Sequence, residues 1–172
     1  MKIVLIGYMG SGKSSIGKKL ASVLNLPFKD IDSEIEKREG CSISEIFSKK
    51  GEIYFRKIEN AVLKELLSQP ESFVLATGGG TPCYADSMDF ILARENTEVI
   101  YLKMSIAALS TRLYLEKENR PLLKHLNSEE MLEDFVRKHL FERAYYYNQA
   151  HFVIDNENEM DETVEKIISK LF

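Results

Sequence analysis

The octapeptide Gly7-Tyr8-Met9-Gly10-Ser11-Gly12-Lys13-Ser14 fits the pattern G-x-x-x-x-G-K-[ST]. Ahead of it runs Ile3-Val4-Leu5-Ile6, apolar throughout, as expected of a buried strand. Behind it, Ser15 to Leu24 places apolar residues at helical spacing. A strand, a glycine-rich turn and a helix in that order make the pattern a phosphate-binding loop. Glycines let backbone N–H groups converge on an anion, and the helix N-terminus adds partial positive charge. Lys13 is then expected to reach the β- and γ-phosphates, and Ser14 to ligate Mg²⁺. The chain is expected to bind a nucleoside triphosphate.

Further along, apolar runs at Phe28 to Ile31, Phe73 to Ala76, Val99 to Leu102 and Phe152 to Ile154 predict four more buried strands. Helical patterns fall between them, at Ser33–Arg38, Ile43–Lys49, Glu52–Leu67, Ala85–Arg94, Ile106–Glu116, Glu129–Tyr147 and Glu162–Leu171. Strands alternating with helices predict an α/β fold with a parallel sheet covered on both faces. Ligands bind such sheets beyond the carboxyl ends of the strands. The candidate groups all lie there: Gly7–Ser14 after the first strand, Asp30 and Asp32 at the end of the second, Gly78-Gly79-Gly80 after the third.

At 172 residues the chain is expected to form a single domain with a core of its own. A net charge of −4 argues against general binding to nucleic acid or anionic membranes, so any anion site must be local. Cys41 and Cys83, its two cysteines, form neither a metal-like nor a disulfide spacing, which suits a reducing cytoplasm. The apolar run before Gly7 is too short for a signal peptide, and nothing approaches the ~18 apolar residues of a membrane span. A cytoplasmic location is expected.

Asp30-Ile31-Asp32 sets two carboxylates one residue apart, on one side of the pleat if the strand extends that far. One could support Mg²⁺ through water while the other faces a hydroxyl nucleophile; equally, Asp32 or Ser33 could cap the next helix. The acid that commonly supports Mg²⁺ after another core strand of phosphate-loop proteins is missing, and Thr77-Gly78-Gly79-Gly80-Thr81 stands there instead. Three glycines in a row cost conformational entropy and make sense where a ligand touches bare backbone. Arg56 and Glu59 share a helix face, a pairing that is most often a weak surface ion pair. Arg143 sits on a charged helix, and His125, His139 and His151 have no metal-like spacing. Tyr145-Tyr146-Tyr147 reads as packing. Between two helices, Glu116 to His125 contains Pro121 and breaks the helical pattern, as a mobile flap carrying Arg120 would.

Taken together, Gly7 to Ser15, Asp30-Ile31-Asp32, Gly51-Glu52 with Phe55-Arg56 and Glu59, Thr77-Gly78-Gly79-Gly80, Arg120-Pro121-Leu122-Leu123 and Arg143-Ala144-Tyr145 resemble the shikimate kinases over essentially the whole chain. The resemblance implies a three-layer P-loop fold, similar to nucleoside monophosphate kinases, with a five-stranded parallel sheet in the order 2-3-1-4-5. It implies transfer of the γ-phosphoryl of ATP to the 3-hydroxyl of shikimate, with Mg²⁺, by a cytoplasmic monomer. In that scheme Gly10, Ser11, Gly12, Lys13, Ser14 and Ser15 hold the nucleotide, with Arg112 beside the adenine. Ser14 and, through water, Asp30 support the metal. Asp32, Arg56, Arg143 and the backbone of Gly78, Gly79 and Gly80 take shikimate, within a helical region of about 32–60. Lys13, Asp32 and Arg120 are the catalytic set, Arg120 on a lid of about 112–127. Many members of the family place a proline or a basic residue after the last strand, whereas Asp155-Asn156-Glu157-Asn158-Glu159 is acidic and proline-free. A gluconate-type small-molecule kinase is the alternative, and a non-catalytic ATP-binding module a distant third.

Overall fold

The computed structural model describes residues 1–117, 123–157 and 159–172. Its elements in chain order are β1 (Lys2–Ile6), α1 (Lys13–Leu24), β2 (Phe28–Asp30), α2 (Ile31–Glu39), α3 (Ile43–Ser68), β3 (Phe73–Ala76), a short 3₁₀ turn (Thr81–Cys83), α4 (Ser87–Leu92), β4 (Thr97–Lys103), α5 (Ile106–Glu116), α6 (Glu129–Tyr147), β5 (Phe152–Asp155) and α7 (Met160–Leu171). The five strands form one sheet in the order β2-β3-β1-β4-β5, every pair parallel. This is the expected order.

The strands read as unbroken apolar runs because helices cover both faces. Alternation along the pleat divides the core in two. Ile3 and Leu5 of β1 pack with Val74, Ile100, Leu102 and Ile154 against Ile16 and Leu20 of α1 and Val164 and Ile167 of α7. Val4 and Ile6 face the other way, with Leu75, Val99 and Tyr101, against α2 to α6. β1 lies between β3 and β4, so the chain leaves β1 for one side of the sheet and later crosses to the other. A crevice opens beyond the strand ends at that reversal. Among the described residues no helix is long and apolar enough to cross a membrane.

Among the boundaries that differ from the sequence pattern, three have a clear local cause. β2 stops at Asp30, and Ile31 and Asp32 already belong to α2. The two helices expected at Ile43–Lys49 and Glu52–Leu67 meet without a loop at Gly51, whose φ of 81° and ψ of 172° make a kink inside α3. A capping box at Ser42 and Glu45 starts that helix. α4 begins at Ser87, later than Ala85, because Ala85 has a φ of 51° that no helix accommodates. Of the stretch 112–127, Arg112 to Glu116 belong to α5, and Leu123 and Leu126 are buried in the core. Arg120 and its neighbours Pro121 and Leu122 lie outside the described residues.

Candidate active site

The phosphate loop joins β1 to α1, and Gly12, with a φ of 83°, is the residue before the first helical turn. A side chain there would be strained, so glycine is what lets the loop turn directly into the helix. Lys13 is buried, and its Nζ donates to the carbonyls of Gly7 at 2.8 Å and Tyr8 at 2.9 Å. The ammonium thus lies folded against the loop it is expected to serve. Ser14 Oγ donates to Asp30 Oδ2 at 2.6 Å, which joins the loop to the end of β2. Arg112 Nη1 donates to Gly10 O at 3.1 Å, so α5 closes over the loop's outer edge.

Two openings flank this loop. One, of about 350 Å³, is lined by Gly10, Gly12, Lys13, Ser14, Ser15, Asp30, Asp32, Gly78, Gly79 and Arg112 among others. The other, of about 380 Å³, lies between Gly12, Ser15, Ile16 and Arg112 on one side and Asn156, Glu157, Glu159 and Met160 on the other. Arg112 borders both.

Asp30 and Asp32 do not alternate along a strand. Asp30 caps α2, its Oδ1 accepting from Asp32 N at 3.1 Å, so the capping role expected of Asp32 or Ser33 falls earlier, on Asp30. Asp32 is left with its carboxyl facing the cavity. Burial pushes that carboxyl up to about 6, helped by the negative charges of Asp30 and Glu59 and opposed by Lys13. A carboxylate so placed is ionised at neutral pH and is a far better proton acceptor than an exposed aspartate.

Arg56 and Glu59 are not a surface pair. Glu59 is 2% exposed, its Oε2 accepts from Arg56 Nη1 at 2.7 Å, and its Oε1 accepts from Thr81 Oγ1 at 2.6 Å. The kink at Gly51 and the apolar stripe of α3 turn this face inward, where the guanidinium meets the glycine run. By sequence the three glycines are expected to touch a ligand. The structure brings the protein's own charged groups against them first. A methyl group at Gly80 would lie 2.5 Å from Arg56 Nη2, one at Gly79 would lie 3.3 Å from Arg143 Nη1 and 3.2 Å from Met9 N, and one at Gly78 would lie 3.0 Å from Glu59 Oε1. None of the three has a positive φ, so space rather than conformation requires glycine. One short segment thereby gathers Arg56, Arg143, Glu59 and the phosphate loop.

Two further groups escaped the sequence pattern. Asn156, 4% exposed, donates from Nδ2 to Ser11 O at 2.5 Å and accepts at Oδ1 from Thr163 Oγ1 at 3.0 Å. The turn after β5 is therefore anchored to the phosphate loop despite its acidic composition; an asparagine amid acidic residues was the only signal. Tyr147 is buried and donates to Gly79 O at 2.5 Å, while Tyr145 of the same run is exposed. Of the histidines, His139 pairs with Tyr8, His151 with Glu98, and His125 meets the ring of Phe135. Among the described residues no group of three or more His, Cys, Asp or Glu is arranged to hold a metal ion.

The chain is similar to proteins of one known family over nearly its whole length. A family model described as "Shikimate kinase" matches residues 9–172. The chain is 48% identical to a shikimate kinase of Flavobacterium johnsoniae over 171 residues, covering 99% of this chain and 98% of that one. The crystal structure of shikimate kinase from Bacteroides thetaiotaomicron is similar at a TM-score of 0.87, with 31% identity, 99% of this chain and 98% of that chain covered. Shikimate kinase from Acinetobacter baumannii, solved in complex with shikimate, is similar at a TM-score of 0.86 and 38% identity, with 99% and 92% covered.

Proposed function

The chain belongs to the shikimate kinase family and transfers the γ-phosphoryl group of ATP to the 3-hydroxyl of shikimate, and we propose how its residues divide that work. The observation that carries the assignment is the convergence on Gly78-Gly79-Gly80 of two guanidinium groups, a buried carboxylate and the phosphate loop. Shikimate is a carboxylate with ring hydroxyls. Arg56 and Arg143 bind the carboxylate, for which a planar guanidinium fork is suited. Glu59, held by Thr81 as well, keeps the Arg56 fork aimed; it is a positioning residue.

Asp32 accepts the hydrogen bond of the attacking hydroxyl and takes its proton as the new O–P bond forms. Its raised pKa supports that role, and so does its place between the phosphate loop and the glycines. Backbone amides from Gly10 to Ser15 cradle the phosphates, and Lys13 swings from the Gly7 and Tyr8 carbonyls to the β- and γ-phosphates. Arg112 lies along the base and sugar, between the two openings. Arg120 is assigned to the phosphates on the resemblance of its motif.

The hydroxyl of Ser14 and the carboxylate of Asp30 offer hard oxygen donors 2.6 Å apart, a fit for Mg²⁺ held by few protein ligands and several waters. Those two residues would hold the ion, Asp30 through water. When bound, it would neutralise charge on the phosphate oxygens. We place the enzyme in the cytoplasm, acting as a monomer.

The test is ADP release from ATP and Mg²⁺ with shikimate, with gluconate, and with neither. Strong stimulation by shikimate alone is expected. Stimulation by gluconate instead would assign the two arginines to a different hydroxy acid, and no stimulation by either would overturn the catalytic reading.

A further inference from the structure

We propose that Tyr8 and His139 are positioning residues that set the height of Arg143 over the shikimate site, through a hydrogen bond between the phosphate loop and α6. The inference rests on the assignment of Arg143 to the shikimate carboxylate.

Tyr8 occupies the second position of the phosphate loop and is 1% exposed. Its hydroxyl is hydrogen-bonded to His139 Nδ1 at 3.0 Å, and the Arg143 guanidinium lies 5.3 Å from its ring centroid. His139, Arg143 and Tyr147 follow one another at four-residue intervals on α6, so they line one face of that helix. All three meet the site: His139 at the Tyr8 hydroxyl, Arg143 at the Tyr8 ring and Gly79, Tyr147 at the Gly79 carbonyl. Arg143 is thus suspended between two hydrogen bonds, one turn to either side. The lower one ends on the loop that is assigned to the nucleotide.

A phenylalanine would fill the space of the Tyr8 ring and keep its contact with Arg143. What the hydroxyl adds is direction, because it can meet Nδ1 at only one height of α6. Burial pushes the hydroxyl up to about 12, so it keeps its proton at any working pH and can donate to an unprotonated Nδ1. Burial and the Arg143 charge together hold His139 below its ordinary value, which keeps the ring neutral and the acceptor available. Phe135 packs edge-on against the His139 ring at 4.2 Å between centroids and limits its rotation. The Tyr8 carbonyl meanwhile accepts from Lys13 Nζ and from Ser11 N. One residue therefore touches the loop's catalytic lysine through its backbone and the carboxylate-binding helix through its side chain.

Steady-state kinetics of Tyr8→Phe, His139→Phe, the double variant, His139→Asn and Arg143→Ala test this. Losing one neutral hydrogen bond corresponds to about a fivefold effect. Tyr8→Phe and His139→Phe should each raise the shikimate KM about fivefold, with kcat and the ATP KM within twofold of wild type. The double variant should be no worse than either single one, because both remove the same bond. His139→Asn places a side-chain carbonyl where Nδ1 lies and should restore the shikimate KM. A structural defect would change kcat and both KM values together and would not be rescued. If Arg143→Ala leaves shikimate binding intact, the assignment of Arg143 itself fails. If it weakens shikimate while both single variants keep a wild-type KM, or if the double variant shows additive losses, the positioning role is overturned.

Discussion

Replacing Asp32 by asparagine should make the protein more stable and nearly inactive, and the gain should depend on pH in a defined way. Asp32 titrates near 6 rather than at its ordinary 3.8, because the folded chain buries it beside Asp30 and Glu59. At 1.36 kcal/mol per pKa unit, holding it ionised costs the native state at most ~3 kcal/mol. The sign follows from which state binds the proton. Below pH 3.8 the carboxyl is neutral in both states and costs nothing. Between 3.8 and 6 the unfolded chain ionises while the native one resists, so stability falls. Above about 6 the full cost is present. Asparagine keeps the shape and removes the charge, so Asp32→Asn should gain up to ~3 kcal/mol at pH 8 and only ~0.5 kcal/mol at pH 4. For a chain of this size the gain corresponds to about 6–12 °C in Tm. Turnover with shikimate should fall by ~100-fold or more, the usual worth of a positioned base. Urea denaturation of both proteins at pH 4, 6 and 8 measures the difference directly. A variant equally stabilised at all three values, or less stable at pH 8, would refute the account of a carboxylate strained by burial and like charge.

Three further outcomes are expected. In wild type, kcat/KM for shikimate should rise about tenfold per pH unit below 6 and level off above it, as Asp32 loses its proton; a profile flat from 5 to 8 would remove Asp32 as the base. Gly80→Ala places a methyl group where Arg56 Nη2 lies, and the flexible guanidinium must yield, so the fold should persist while shikimate KM rises ~10–100-fold, as measured by substrate titration. Asn156→Ala removes the donor to the Ser11 carbonyl and leaves the Thr163 hydroxyl with Glu159 O as its acceptor, which should cost about 1–3 kcal/mol by chemical denaturation and raise the ATP KM more than the shikimate KM.

Local sequence determined the parts of this protein whose physics is local. An apolar run bounded by glycine is a buried strand wherever it lands, and G-x-x-x-x-G-K-S between strand and helix cradles phosphate by backbone geometry alone. The strands, the helices and the loop from Gly7 to Ser14 were therefore legible, and the sheet order came with the family's motifs. Tertiary structure decided the rest, because charge and hydrogen bonding depend on neighbours far away in the chain. Asp30 and Asp32 look alike in sequence. One caps α2 and meets Ser14, and the other is buried within reach of the charge of Glu59, 27 positions on. Arg56 and Glu59 look like a solvated pair until the kinked α3 buries them against Thr81. Asn156 is one polar residue in an acidic turn until β5 carries it to Ser11, 145 residues away. Desolvation changes what ordinary side chains can do, and only the folded chain determines which of them lose their water.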